Sequence, residues 1–163
     1  MTSLSDRLEI ADIVASLAHA QDDKDWDRFR ELFADRVVLD ASTHLGSEPA
    51  ELTADELTDL ARGVVNGFPF TQHLTSNLLV EVDGDRASSR NHTLAYHYFP
   101  TDGIDYCLHR GAWKLSLRRE HGKWVIEKWT VERPVPLEGD AGLYERAAAA
   151  ARRSDSTETR TKG

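Results

Sequence analysis

The sequence predicts an α+β domain in which a curved, mainly antiparallel sheet wraps over three N-terminal helices. Two observations favour this class. Before residue 70 apolar residues recur at helical spacing, whereas after residue 70 apolar and polar residues alternate in long runs joined by short turns. A long sheet curved over the helices would form a cone with an apolar interior, which is a natural pocket for a small molecule.

The first forty residues predict two helices and a strand. The first helix carries one apolar stripe, and Ser3 or Ser5 can cap its start. A short second helix extends to Phe33, and residues 36–40 form a strand. Residues 41–52 contain turn formers without a period, so they are predicted to be a loop. The stripe of the first helix comprises Ile10, Ile13, Val14, Leu17 and Ala18.

A third helix is predicted by the capping box Thr53-Ala-Asp-Glu56, and Gly67 ends it. The Ala-rich segment Leu143–Arg152 predicts a final helix or helical arm. Four strands are predicted between these helices, over residues 71–82, 86–99, 106–119 and 124–132. The predicted division of the chain is a domain over residues 1–135, an arm over 136–152 and a disordered tail over 153–163.

Composition and charge exclude several function classes. The 163 residues include 28 acidic and 20 basic side chains, and a net charge of −8 disfavours nucleic-acid binding, which needs a basic face. The single cysteine, Cys107, permits neither an internal disulfide nor a cysteine-based zinc site. No secretory signal and no long apolar run is present, so a cytoplasmic protein without membrane contact is expected.

Several motifs, in order and spacing, resemble the SnoaL-like branch of the NTF2-like superfamily. Residues 21–27, Gln-Asp-Asp-Lys-Asp-Trp-Asp, resemble the end of its first helix, and Thr71-Gln-His-Leu74 resembles the histidine motif of the scytalone dehydratase group. Tyr96-His-Tyr98 falls where that group carries a second histidine, and His121-Gly-Lys-Trp124 resembles its closing hairpin. The resemblance covers roughly residues 5–135 and implies the NTF2-like cone.

The resemblance implies three catalytic residues. Asp22 matches the group's catalytic aspartate, His73 matches its base, and His97 matches the second histidine, which pairs with the aspartate. The group's polarising residues are absent, which implies related proton chemistry on a different substrate. Gln21 and Ala41 stand where scytalone dehydratase has tyrosines, and Gly111 and Trp113 where it has serine and asparagine.

A histidine and an aspartate suit proton abstraction next to a carbonyl. Imidazole titrates near pH ~6.5, and a carboxylate bonded to one ring nitrogen fixes the tautomer and stabilises the imidazolium. Strand parity places His73 and Asn77 on one face, opposite Leu74 and Leu78. Substrate-binding residues are expected to be Gln21, Phe33, Asn77, Trp113 and Trp129.

The other histidines are not assigned a role in the predicted site. His92 and His109 are predicted to be surface or packing residues, and His44 lies in a loop that can reach the pocket mouth. The spacing of histidines and acidic residues matches no metal motif, so no metal is expected. The dehydratase-type function proposed below from the resemblance would need no cofactor.

The predicted function is that of a cofactor-independent lyase of the dehydratase type, in which His73, oriented by Asp22, removes a proton next to the carbonyl of a hydrophobic cyclic ketone. A β-hydroxyl or similar group would leave, with His97 or a bound water as the acid. An isomerase or a polyketide cyclase would use the same proton abstraction. A ligand-binding protein without catalysis and a structural partner of an oxygenase are further alternatives. A homodimer or homotrimer is expected through an apolar sheet face comprising Leu74, Leu78, Val80, Leu94 and Tyr96.

Overall fold

A computed structural model describes the backbone of residues 3–161 and the side chains of residues 3–153. The helices are α1 Leu4–Asp22, α2 Trp26–Glu31, α3 Ser42–Leu45, α4 Ala54–Val65 and α5 Leu143–Thr161. The strands are β1 Phe33–Asp40, β2 Ala50–Thr53, β3 Phe70–Asp83, β4 Arg86–Tyr98, β5 Tyr106–Glu120, β6 Lys123–Glu132 and β7 Glu138–Gly139. Helices that precede most of the strands confirm the predicted α+β class.

The strands form one sheet in the order β2-β1-β6-β5-β4-β3, with β7 paired to β5. The β1–β6 pair is parallel and the other pairs are antiparallel. Helix α1 contacts β3, and its buried residues Ile10, Val14 and Leu17 belong to the core between helices and sheet. No helix in the described part of the chain is long and apolar enough to cross a membrane.

Two of the predicted helix starts are confirmed by their hydrogen bonds. The Ser3 hydroxyl accepts the backbone N–H of Ser5 at 3.2 Å. At the start of α4 the Thr53 hydroxyl accepts the N–H of Glu56 at 3.1 Å, and the Glu56 carboxylate accepts the N–H of Thr53 at 2.8 Å. These side chains satisfy backbone donors that lack a partner within the first helical turn.

Residues 41–52 are not the uninterrupted loop that the sequence predicts. The short helix α3 begins where the Asp40 carboxylate accepts the N–H of Ser42 at 3.2 Å, and it ends at Gly46 with φ 73°. Strand β2 forms because the edge of β1 offers it a partner, and Arg36 pairs with Glu51 across the two strands. The two paired strands are not adjacent in sequence, so local periodicity does not reveal β2.

A β-bulge in β3 overturns the predicted parity of that strand. The register with β4 shifts between Ser76 and Leu79, and Asn77 adopts a positive φ of 56°. Beyond the bulge Leu78 and Val80 pack against the core, so they do not share the outer face with Leu74. Leu74 is 52% exposed on that face, and the homodimer or homotrimer stays a prediction.

Helix α5 begins at Leu143 as predicted but continues to Thr161, whereas the sequence predicts a disordered tail from residue 153. A started helix gains one hydrogen bond for each residue added, which favours its extension past the Ala-rich segment. Residues 162–163 of that predicted tail lie outside the described residues. The helix lies close to Gly67, where an added Cβ would be 1.7 Å from the carbonyl oxygen of Ala147.

Candidate active site

Asp22 and His73, together called the dyad below, meet at the junction of α1 and β3. The Asp22 Oδ1 atom lies 2.6 Å from His73 Nδ1, and Oδ2 accepts the backbone N–H of His73 at 2.8 Å. The Thr71 hydroxyl donates a third hydrogen bond to Oδ1 at 2.9 Å. One carboxylate therefore fixes both the ring and the backbone of the histidine, as the predicted pairing of these two residues requires.

The segment after Asp22 is tied to the segment before β3 by two hydrogen bonds. Lys24, which has a φ of 56°, donates from Nζ to the carbonyl of Phe68 at 2.7 Å. The indole N–H of Trp26 donates to the side chain of Asn66 at 2.9 Å. Because these bonds hold the end of α1 against the start of β3, the dyad geometry does not depend on the two side chains alone.

The surroundings of Asp22 keep its carboxylate ionised at neutral pH. Burial alone would raise its pKa, but hydrogen bonds from His73 and Thr71 and the charge of His73 together lower the pKa of Asp22 below its usual value. An ionised carboxylate only accepts hydrogen bonds, so His73 donates through Nδ1–H. In the neutral form of His73, Nε2 is then the nitrogen with a free lone pair, available to a substrate proton.

A cavity of about 520 Å³ opens beside the dyad between the helices and the sheet. Apolar side chains from β1, α4, β6 and α5 form most of its wall. Of the residues predicted from the sequence, the cavity lining includes His73, His97, Gln21, Trp113 and Trp129. The His73 side chain is only 6% exposed, so proton transfer to His73 would take place away from bulk water.

His97 lines the cavity, but it does not pair with Asp22 as the resemblance implied. In the β3–β4 register His97 lies opposite Thr71, and the Asp22 carboxylate is already bonded to the Thr71 hydroxyl and to the ring and backbone N–H of His73. Burial, followed by the charge of His73, lowers the pKa of His97 to about 3, so this ring is neutral near pH 7. Its Nδ1 lies 3.4 Å from the hydroxyl of Tyr144.

Two of the predicted substrate-binding residues do not line the cavity. The bulge in β3 leaves Asn77 exposed, since the residues that face inward switch from odd to even numbers there. Phe33 is buried in the core at the start of β1, where its ring lies 5.0 Å from that of Phe29 and 6.0 Å from that of Trp129. These aromatic neighbours fill the space around Phe33 and leave it no cavity surface.

Three residues of the cavity wall that are not assigned a role in the predicted site are His109, His44 and Tyr144. His109 is 3% exposed and its ring lies 4.8 Å from that of His44, so the prediction of a surface or packing role missed its place on the cavity wall. Strand parity could have found His109, because it shares the inward face of β5 with Trp113. His44 and Tyr144 reach the cavity from α3 and α5, whose positions depend on tertiary contacts. Within the described residues, no three metal-ligating side chains are placed to hold an ion.

Solved structures with this fold are numerous, and three illustrate the likeness. The Kfla4162 protein from Kribbella flavida is 23% identical, with a TM-score of 0.79 over 90% of this chain and 98% of its own. A candidate aromatic ring hydroxylase from Novosphingobium aromaticivorans is 25% identical, with a TM-score of 0.76 over 91% of this chain and 99% of its own. A type 2 hexachlorocyclohexane dehydrochlorinase, LinA, is 20% identical, with a TM-score of 0.72 over 85% of this chain and 91% of its own.

No curated protein matches the sequence. The family model of the SnoaL-like domain matches residues 2–130, which is most of the chain and includes the dyad, the second histidine and the whole of β5. The chain therefore belongs to the SnoaL-like family, as its motifs predicted.

Proposed function

We propose that this protein is a cofactor-independent lyase of the dehydratase type that acts on a hydrophobic cyclic ketone. The observation that carries the proposal is the 2.6 Å contact between Asp22 Oδ1 and His73 Nδ1, with His73 on the wall of a largely apolar cavity. His73 is the base and takes a proton from the carbon next to the carbonyl. Asp22 holds the tautomer and stabilises the imidazolium that forms.

The elimination balances without any further reactant. The electrons of the C–H bond form an enolate and then a C=C bond, while the C–O bond to a β-hydroxyl group breaks. The leaving hydroxide takes the proton that His73 holds and departs as water. One solved structure with this fold is named a hexachlorocyclohexane dehydrochlorinase, and that name denotes an elimination from a ring. This likeness supports the proposed class of chemistry.

Neutral hydrogen-bond donors near the dyad are suited to the developing enolate oxygen. The His97 ring lies 5.5 Å from the His73 ring and 5.2 Å from the Tyr144 ring. Burial raises the pKa of Tyr144, so its hydroxyl remains protonated and able to donate. Donors fixed in a dry cavity stabilise a forming oxyanion without reorganising, and removal of one such donor typically costs roughly 10²- to 10³-fold in rate.

An isomerase that uses the same base is the second candidate function. The observation that favours it is the charge state of the other cavity histidines. Burial lowers the pKa of His97 to about 3 and of His44 and His109 to about 4, so none of the three supplies a cationic acid for a leaving group at neutral pH. An isomerisation has no leaving group and returns the proton from His73 to another carbon.

An elimination screen tests the lyase proposal. Cyclic β-hydroxy ketones, from single rings to steroid skeletons, are incubated with the protein, and the conjugated enone is followed by its ultraviolet absorbance. We expect turnover of at least one ketone by the wild type, and loss of that turnover in His73→Asn. His92→Asn is the matched control, because His92 is exposed on β4 and does not line the cavity. Full activity of His73→Asn, or no enone across the panel, would contradict the proposal.

A further inference from the structure

We propose that His44 and His109 form a second polar subsite, which binds a hydroxyl or carbonyl oxygen of the substrate at a distance from the reacting carbon. The inference deepens the proposed function and rests on it, because it takes the cavity beside the dyad as the substrate site. It assigns the substrate to one chemical class: a neutral molecule with an apolar skeleton and two oxygen functions.

The first observation is a pair of unpartnered ring nitrogens on the cavity wall. His44 Nδ1 and His109 Nε2 are both buried, and neither has a hydrogen-bond partner in the described part of the chain. Their rings are 4.8 Å apart, and both residues line the cavity. A buried polar atom without a partner is unfavourable, so two such atoms in neighbouring rings on one cavity wall indicate a place where a ligand atom or water binds.

The second observation is the position of this pair relative to the dyad. In the sheet His73 lies opposite Ala95 on β4, and Ala95 lies opposite His109 on β5. Two strand spacings separate the two histidines, about 10 Å across the sheet. Ala95 also lines the cavity, and its small side chain leaves space for a ligand between the two histidines. A skeleton of two fused rings, with a hydrogen bond at its far end, spans this distance.

The third observation is the charge state of the pair, which selects the kind of oxygen. Burial, followed by the charge of Arg133, lowers the pKa of His44 to about 4. Burial, followed by the charges of His44 and Arg133, lowers that of His109 to about 4. Each ring at neutral pH therefore offers one N–H donor and one lone pair. A hydroxyl group can use both and a carbonyl can use the donor, whereas a carboxylate only accepts hydrogen bonds and gains no opposite charge from neutral rings.

Arg133 lies near the histidine pair but outside the cavity lining, so it does not bind the ligand itself. Its guanidinium donates to the carbonyl oxygens of His44 and Val135, each at 3.1 Å, and it is not among the residues that line the cavity. These bonds hold α3 in place. Burial is the main cause of the lowered pKa of both histidines, and the nearby positive charge of Arg133 adds to it.

Binding of three probes tests the subsite. The probes are 1-tetralone, 6-hydroxy-1-tetralone and 6-carboxy-1-tetralone, and their affinities are measured by calorimetry. We expect the hydroxyl group to tighten binding to the wild type by roughly 3- to 10-fold, as one net hydrogen bond allows. That gain should vanish in His109→Phe and in His44→Phe, which keep an aromatic ring, and persist in His92→Phe. Equal affinity of tetralone and its hydroxy derivative, or tightest binding of the carboxylate, would overturn the proposal.

A second measurement does not depend on how the variants fold. In the wild-type protein with ¹⁵N-labelled histidine, the ring nitrogens of His44 and His109 should shift when the hydroxy probe is added and not when 1-tetralone is added. Repeating the binding series in His73→Asn separates the two claims. Loss of turnover with the hydroxyl gain intact supports both, whereas a missing gain overturns the subsite and leaves the dyad chemistry to its own test.

Discussion

Replacement of Asp22 by asparagine removes one negative charge and changes little else. The two side chains have the same shape, and Asp22 is not among the residues that line the cavity, so substrate contacts stay the same. The amide can still accept the backbone N–H of His73, which Asp22 Oδ2 binds at 2.8 Å. The substitution therefore isolates the carboxylate's effect on the tautomer of His73 and on the charge that develops on its ring.

The size of the effect follows from the short distance between the Asp22 carboxylate and the His73 ring. Asp22 Oδ1 lies 2.6 Å from His73 Nδ1. Two unit charges centred about 4 Å apart attract by about 4 kcal/mol at an effective dielectric constant near 20. Each 1.4 kcal/mol is about a tenfold change in rate, so full loss of this attraction slows the reaction roughly 10³-fold. We expect kcat to fall by roughly 10²- to 10³-fold, within the range of general-base effects.

The assay is steady-state kinetics on a ketone that the elimination screen identifies. We expect KM to change by less than about threefold, since the attraction between the two opposite charges arises only as His73 takes the substrate proton. Asp23→Asn is the matched control, because Asp23 is the next residue, is exposed and makes no side-chain contact with His73. Its kcat should equal that of the wild type.

A kcat of Asp22→Asn within about threefold of the wild type would refute the reasoning. So would an equal loss in Asp23→Asn, since it would indicate a general effect of charge at the end of α1. Circular dichroism of each variant checks that its fold is retained, so that a lost rate is assigned to the dyad and not to unfolding.

Three further predictions concern stability and positioning. Gly67→Ala should lower the free energy of unfolding by about 1–3 kcal/mol in chemical denaturation, because the new Cβ meets the backbone of α5. Gly63→Ala in α4 is the control: its new Cβ has open space, so the free energy of unfolding should rise by up to about 1 kcal/mol. Thr71→Val should slow turnover by roughly tenfold, because the dyad carboxylate loses the donor 2.9 Å away, and an unchanged kcat would contradict this role. Unfolded histidine binds a proton below pH ~6.5, but folded His109 does so only near pH 4, so stability falls as the pH falls between these values. His109→Phe should flatten that slope by at most about 1.4 kcal/mol per pH unit, and an unchanged slope would contradict the lowered pKa.

Much of the fold could be predicted from the sequence because its signals are local. Ser3 and the box at Thr53–Glu56 mark helix starts through bonds that span only two or three residues. The long strands β3 to β6 alternate in burial, and β3, β4 and β5 are each followed by a turn that contains glycine. The dyad could be predicted because its motifs resemble those of the family, and the structure brings Asp22 and His73 into contact.

The parity of β3 could not be predicted because it depends on one residue. The positive φ of Asn77 inserts a bulge, and every side chain beyond it faces the opposite side. Asparagine tolerates this conformation better than most residues do, but its presence in a strand does not require it. The sequence therefore predicts Asn77 in the pocket, whereas the structure leaves it exposed. It predicts Leu78 on the outer face, whereas the structure packs it against the core.

The far wall of the cavity could not be predicted because distant segments build it. His44 comes from a helix of four residues that Arg133 holds through a bond across 89 positions of the chain. Tyr144 comes from α5, which reaches the cavity through its contact with Gly67. No local pattern around either residue indicates a partner so far away, so the sequence reveals the dyad and misses the surface opposite it.

The most direct test of the account is proton exchange at the carbon next to a carbonyl, measured without any leaving group. In D₂O at neutral pD, the wild-type protein should catalyse incorporation of deuterium at C2 of 1-tetralone, followed by proton NMR. His73→Asn should slow the exchange by roughly 10²-fold or more, and His92→Asn should leave it unchanged. Exchange at the wild-type rate in His73→Asn, or exchange no faster with wild-type protein than in buffer alone, would contradict the claim that His73 is the base.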